Sequence, residues 1–455
     1  MRSFTITLRV ACRPLAIARR IEEPFVGRTL LLGLVVGVLG GLGAVAFQWL
    51  LVGSTLLFFG ASSQFELVET VVDLPWYYRV LAPAIGGAVV GLIASYGGDG
   101  GLVRGEGVPE VLEAMDTKGG ALTTRVAPAK ILASAVCIGS GGSVGREGPI
   151  VQIGGAFGSA IGRRLHLTPG QTNVLLAGGA AAGLGGTFNA PIGGAIFAWE
   201  VLLGRVTRRT VPPVAIASFA GTATANVVVG LPDPIFSIPP TEIVSYWEVL
   251  AYVGLGFVAV IVALFFAHTM YAIEDGFERV PLPANAKPAL GGLCLGVLAL
   301  FAPEVHATGY GVIHGTLLSG AALEVAIAFV VAKILATSLT LGSGGSGGIF
   351  APALFVGAMT GTAYGELLEI VFPGLTAGSR TYATIGMAAV FAGLAHAPLT
   401  GIVVVYELTG DLRVVVPLTI ACLVSGILAR RVAKTSIYTT GLVDRGVDVR
   451  SRRLL

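Results

Sequence analysis

The sequence predicts an all-α polytopic membrane protein made of two homologous halves with broken, tilted helices. Composition, short punctuated apolar runs and an internal repeat carry that prediction. The chain of 455 residues is 54% hydrophobic and only 12% charged, whereas a soluble domain carries roughly 25% charged residues. Gly fills 66 positions, which in apolar segments signals close helix crossings and interrupted helices. A net charge of +3 is too small to argue for nucleic acid. Cys12, Cys137, Cys294 and Cys422 lie far apart and the five histidines lack ligand spacing. No disulfide framework, metal site or resident cofactor is therefore expected.

Residues 1–28 read as a basic amphipathic segment. Arg2, Arg9, Arg13, Arg19, Arg20 and Arg28 exclude a signal peptide and place the N-terminus in the cytoplasm. Membrane repeat 1 is expected over 29–210, opening with the apolar run Thr29–Phe59 and continuing with Trp76–Tyr96. A polar interruption, Gly97–Arg125, holds Gly105-Glu106-Gly107-Val108-Pro109-Glu110. The runs Val126–Ile138, Ile150–Ile161 and Val174–Gly186 follow, then a segment from Phe188 to Glu200. Several of these pieces are near a dozen residues, where a straight span needs about 20, so half-helices meeting inside the membrane are expected. Membrane repeat 2 with its connecting helices is expected over 211–434, interrupted by the Pro-rich loop Leu231–Pro240. A C-terminal segment and short tail occupy 435–455, and the basic residues from Arg430 to Arg453 place that end in the cytoplasm too.

The repeat runs the length of the chain. Ala84-Ile85-Gly86-Gly87 pairs with Ala289-Leu290-Gly291-Gly292, and Gly105-Glu106-Gly107-Val108 with Gly309-Tyr310-Gly311-Val312. Ala129-Lys130-Ile131-Leu132-Ala133 recurs as Ala332-Lys333-Ile334-Leu335-Ala336. The stretch from Gly139 to Pro149 answers 342–352, and Ala190 to Glu200 answers Ala397 to Glu407. Homologous halves with helices broken at matching places point to a transport site near the bilayer midplane. Spacing alone leaves open whether the halves are parallel or inverted.

The two Gly-rich motifs suit an anion. A helix that begins inside the membrane presents about four free N–H groups and the positive end of its dipole, and Gly allows the ion a close approach. Pro149 and Pro352 sit near the first turn, where a missing N–H costs little. Gly-rich stretches elsewhere only permit tight crossings, but Arg146-Glu147 at membrane depth is costly and therefore functional. Gly141–Gly145 and Gly344–Gly348 also read Gly-x-Ser-x-Gly. A hydrolase would need a base aligned with Ser143 or Ser346 in a strand–turn–helix setting. None is visible, and no enzyme is expected.

The ordered set Gly105-Glu106-Gly107-Val108-Pro109, Gly145-Arg146-Glu147-Gly148-Pro149, Gly348-Ile349-Phe350-Ala351-Pro352 and Tyr438 resembles the CLC family of chloride channels and proton/chloride antiporters, over about residues 27–445. The resemblance implies an inverted repeat, a homodimer with one pore per subunit, chloride as bound substrate, and a prokaryotic inner membrane. It also implies a chain with no appended regulatory domain. By position, Glu147 resembles the gating glutamate, which occupies an anion site when ionised and swings out when protonated. Gly145, Arg146 and Gly148 flank it, and the N–H groups of Ile349 and Phe350 with the Tyr438 hydroxyl match the central anion site. Two positions depart from the pattern. Glu106 stands where the family has a serine, and an ionised Glu would repel chloride. Val201 stands where antiporters carry an internal proton-transfer glutamate directly after the position of Glu200. Glu200 and Glu407 read instead as caps at segment ends. The expectation leans to a passive, Glu147-gated chloride channel. The alternative is an antiporter in which Glu106 supplies the proton route. The intact Pro149 argues against the family's fluoride exporters.

Overall fold

The computed structural model describes residues 15–97, 100–123, 126–230, 234–238 and 247–447, with 15–26 described by backbone alone. The expectations for the first arginines, for Cys12, for part of the Pro-rich loop and for Arg450, Arg452 and Arg453 lie outside the described residues or side chains. Among the described residues the regular elements are helical, and seven helices are long and apolar enough to cross a membrane.

The helices come in two matching series. The first runs Leu15–Phe59, Trp76–Tyr96, Val108–Thr117, Ala127–Gly139, Glu147–Arg164, Pro169–Phe188, Pro191–Phe197 (continued as a π-helix, Ala198–Leu203) and Val211–Val229. The second runs Glu248–Arg279, Lys287–Leu298, Tyr310–Ser319, Leu323–Gly342, Phe350–Val371, Ser379–Ala395, Pro398–Thr409 and Val415–Val432. Val211–Val229 packs on Leu15–Phe59 and Pro169–Phe188 as Val415–Val432 packs on Glu248–Arg279 and Ser379–Ala395. On this correspondence the first half closes at Val229 rather than at residue 210.

The local chemistry that cuts the helices is the same in both halves. Asn189 and His396 end their helices in the left-handed conformation (φ 49° and 56°). Pro191 and Pro398 then open the next helices at the first position, where the missing N–H costs nothing. The broken-helix expectation holds for Ala127–Gly139, Pro191–Leu203, Lys287–Leu298 and Pro398–Thr409, all shorter than a span. It fails at Pro169–Phe188, a full 20 residues, where the apolar run Val174–Gly186 leaves out the polar first turn.

The halves are inverted. Trp76–Tyr96 and its counterpart Lys287–Leu298 are in backbone contact, so that a Cβ on Gly87 would collide with the Pro288 carbonyl and one on Gly292 with the Pro83 carbonyl. Further along, Gly91 meets Asn285 and Gly296 meets Val80. Numbers rise on one helix as they fall on the other, so equivalent helices run antiparallel. The reciprocity of the contacts is that of a twofold axis.

Candidate anion site

The two Gly-rich loops meet on that axis. Gly145 and Gly348 exchange both backbone hydrogen bonds, N to O, at 2.7 Å each. The Gly105 N–H donates to the Gly345 carbonyl (2.9 Å), and the Gly105 carbonyl accepts from Gly347 (3.2 Å). The Ser346 hydroxyl donates to the Val103 carbonyl (2.8 Å) and lies 2.8 Å from the Ser134 hydroxyl. Immediately after this junction the helices Glu147–Arg164 and Phe350–Val371 begin. Their N-termini, each with free N–H groups and a positive dipole end, thus start side by side in the buried centre.

Glu147 fills the space between them. Its carboxylate accepts the Phe350 N–H at 2.5 Å and the Ala351 N–H at 3.4 Å, so it occupies the N-terminus of the opposite half's helix. The residue is 2% exposed, and its Oε2 has no partner. A methyl group on Gly145 or Gly348 would collide with this carboxylate, which explains glycine at both places. Ile349, the residue before the first turn, accepts the Ala353 N–H at its carbonyl (2.8 Å). Ala351 was not singled out in the sequence. Only the geometry shows that its N–H, beside that of Phe350, faces the carboxylate.

Arg146 turns away from its neighbour. Its guanidinium donates to Gln48 Oε1 (2.7 Å) and the Thr187 carbonyl (3.1 Å). It also lies over the rings of Phe188 and Tyr310, at 5.3 and 5.2 Å. Adjacent residues on a helix do not face each other, so Glu147 is left to its backbone donors. Phe350 is locked between Phe188 and Phe391, at centroid distances of 5.3 and 4.6 Å.

Tyr438 is 2% exposed and lies within electrostatic reach of both Glu147 and Glu106. Its segment is pinned by the Ile437 N–H, which donates to Leu394 (3.0 Å), and by the Tyr271 hydroxyl, which donates to the Ile437 carbonyl (2.8 Å). Glu106 precedes the helix Val108–Thr117, whose N-cap Gly107 needs φ +94°. Its carbonyl abuts Gly148 so closely that no Cβ fits there. The Glu106 side chain is 8% exposed, its Oε2 has no partner, and it lines a cavity of about 110 Å³. Lys130, fully buried, donates to the carbonyls of Gly105 (2.7 Å) and Arg104 (3.2 Å) behind it. The repeated Ala-Lys-Ile-Leu-Ala pentapeptide could have pointed to this lysine.

Other sequence-derived candidates fall away from the centre. Glu407 accepts the N–H groups of Ile192 and Gly193 (3.0 and 2.6 Å). Glu200 accepts those of Leu399 and Thr400 (3.1 and 2.7 Å) and the Thr400 hydroxyl. Each glutamate thus caps the helix of the other half. Val201 is half-buried beside Glu200. Ser143 meets the Thr340 and Thr337 hydroxyls and Ser346 meets Ser134 and Val103, so neither serine is aligned with a base.

A membrane protein with two buried helix N-termini and a carboxylate seated on one of them is built to handle small anions. The chain belongs to the CLC family: the family model described as "Voltage gated chloride channel" matches residues 86–430. A candidate "chloride channel protein ClcB-like" of Ralstonia nicotianae is 34% identical over 417 residues, 91% of this chain and 96% of that protein. The "Voltage-gated ClC-type chloride channel ClcB" of Salmonella typhimurium is 30% identical over 412 residues, 90% and 98% of the two chains. Among solved structures, that of a slow cyanobacterial Cl⁻/H⁺ antiporter superposes with a TM-score of 0.82 at 25% identity, covering 93% of this chain and 99% of the other. That of a CLC-type fluoride/proton antiporter gives 0.77 at 22% identity over 91% and 98%, a likeness of fold alone. The protein is therefore an integral membrane protein of a family that transports chloride and comprises channels and transporters rather than enzymes.

Proposed function

We propose that the chain is a proton-coupled chloride antiporter of a bacterial inner membrane, with both termini in the cytoplasm, working as a homodimer with one pathway per subunit. Glu147 gates the pathway, and Glu106 is its internal acid. The observation that carries this reading is the pair of buried carboxylates, Glu147 and Glu106, that both lie within electrostatic reach of Tyr438. One is seated on the Phe350 and Ala351 N–H groups, and the other has an unpartnered oxygen facing a cavity.

When Glu147 is ionised it fills the anion site; a proton and an arriving chloride displace it together. Two negative charges about 4 Å apart repel by about 4 kcal/mol at an effective dielectric near 20. That repulsion links the protonation state of Glu106 to occupancy of the place between Tyr438, Ile349 and Phe350 by chloride. The linkage supplies a proton-dependent step without an acid at Val201. The 25%-identical antiporter fold supports the reading. The apolar Val201 favours the second reading, a passive channel gated by Glu147 alone.

Reversal potentials in proteoliposomes separate the two. Exchange displaces the chloride reversal potential when a pH gradient is imposed, and Glu106→Gln abolishes the displacement. A Nernstian potential insensitive to pH rejects antiport and leaves the channel.

A further inference from the structure

We propose that Glu110 is the group through which protons reach Glu106 from the polar vestibule beside it; this rests on the antiport reading above. Two cavities carry the inference. The larger, about 620 Å³, is lined by Arg104, Glu110, Glu274, Lys287, Asp444 and Arg445. The smaller, about 110 Å³, is lined by Glu106, Glu110, Tyr271, Glu274 and Arg445. Glu106 faces only the smaller. Glu110 faces both and acts on Glu106 more strongly than Glu274 does. A space of 110 Å³ has room for about three waters at about 30 Å³ each, enough to join the two carboxyl groups.

The charges around the pair support a shared proton. Glu106 and Glu110 are each 8% exposed, and Oε2 of each is without a partner. Among the described residues the buried cation beside them is Lys130, which attracts both. Two carboxyl groups and one ammonium are electroneutral only when one carboxyl group holds a proton, as in other closely placed acid pairs. From the vestibule side the pair also meets Tyr271, Glu274 and Arg445, and Arg445 is engaged with Glu113 at 3.9 Å. The step is a plain transfer. The O–H bond of protonated Glu110 breaks, a proton passes through the small cavity, and an O–H bond forms on the Glu106 carboxylate. Glu110 then takes up a proton from the vestibule.

The competing role for Glu110 is structural. It is the third residue of Val108–Thr117, where Glu and Gln alike reach back to the N-cap N–H. Glu110→Gln keeps that cap and removes the proton carrier, so it separates the roles. In proteoliposomes of the full-length protein, Glu110→Gln is expected to lower the proton-to-chloride flux ratio at least fivefold. Glu110→Asp should restore it to within twofold of wild type while moving the vestibule pH at half-maximal proton flux. A wild-type ratio in Glu110→Gln, with the ratio lost in Glu106→Gln, makes Glu110 a cap only and leaves antiport standing. Wild-type ratios in both variants remove Glu106 from the route as well, and no proton movement in the wild type removes antiport itself. Should Glu110→Gln fail to assemble, an unmoved pH midpoint in Glu110→Asp overturns the proposal.

Discussion

The first and second halves of this protein are nearly the same machine carrying opposite chemistry. Both cut their helices with a left-handed residue and a proline, both cap across the twofold axis with a glutamate, and both bury a lysine on loop carbonyls. At the centre the symmetry stops. Arg146-Glu147 opens one helix and Ile349-Phe350 the other. Glu106 follows the glycine of one entrance loop, and Tyr310 follows that of the other, placing its ring against Arg146. Two glutamates facing each other on the axis would repel, and two phenylalanines could not gate. The repeat supplies a pair of helix dipoles, and the departures from it decide which end holds the gate and which the anion. Breaking the asymmetry at the gate should therefore have the largest effect. Glu147→Ala frees the Phe350 and Ala351 N–H groups. Proton movement is expected to fall below detection while chloride flux persists and loses its pH dependence. Retained proton exchange in this variant, followed with a pH dye during chloride efflux, would sink the gating assignment.

Much of this scaffold was legible in the sequence because repetition and special residues write it directly. The offset repeats located both Gly-rich motifs, and Pro149, Pro191, Pro352 and Pro398 marked helix starts that the structure places within the first turn. Glu200 and Glu407 could be read as caps from their matched positions. The inversion could be read only through the family resemblance, since antiparallel packing of Gly87 on Pro288 leaves no trace in spacing. Helix length misled at Pro169–Phe188, because hydropathy sees the apolar run from Val174 but not the polar first turn that begins at Pro169. The surroundings of Glu106 were equally hidden. Lys130 stands 24 residues away in the chain, and Tyr271 and Arg445 arrive from other elements.

The two lysines sharpen the comparison at intermediate size. Lys333 donates to the carbonyls of Val305 (3.0 Å) and Ala307 (2.8 Å) and lies 5.0 Å from the Phe355 ring. Lys130 makes the matching pair of bonds but attracts Glu106 and Glu110 as well. A buried acceptor left without a partner costs about 1–3 kcal/mol. Lys→Met at either position should therefore lower the melting temperature in detergent by a similar amount. Only Lys130→Met should also change the proton-to-chloride ratio. Equal transport phenotypes would mean that both lysines are purely structural.

The crossed caps should give the smallest and most symmetric effect. Glu200 and Glu407 each satisfy two N–H groups at the start of the partner half's helix. Loss of a helix cap costs about 0.5–2 kcal/mol, so Glu200→Ala and Glu407→Ala should each produce a modest fall in melting temperature. Glu200 also accepts the Thr400 hydroxyl at 2.7 Å. Thr400→Val should reproduce only the part of the Glu200 fall that this bond contributes. Transport is the deciding measurement. Unchanged proton-to-chloride ratios in both variants keep these glutamates as structural ties between the halves. A ratio that falls only in Glu200→Ala would instead put the proton route beside Val201 and away from Glu106.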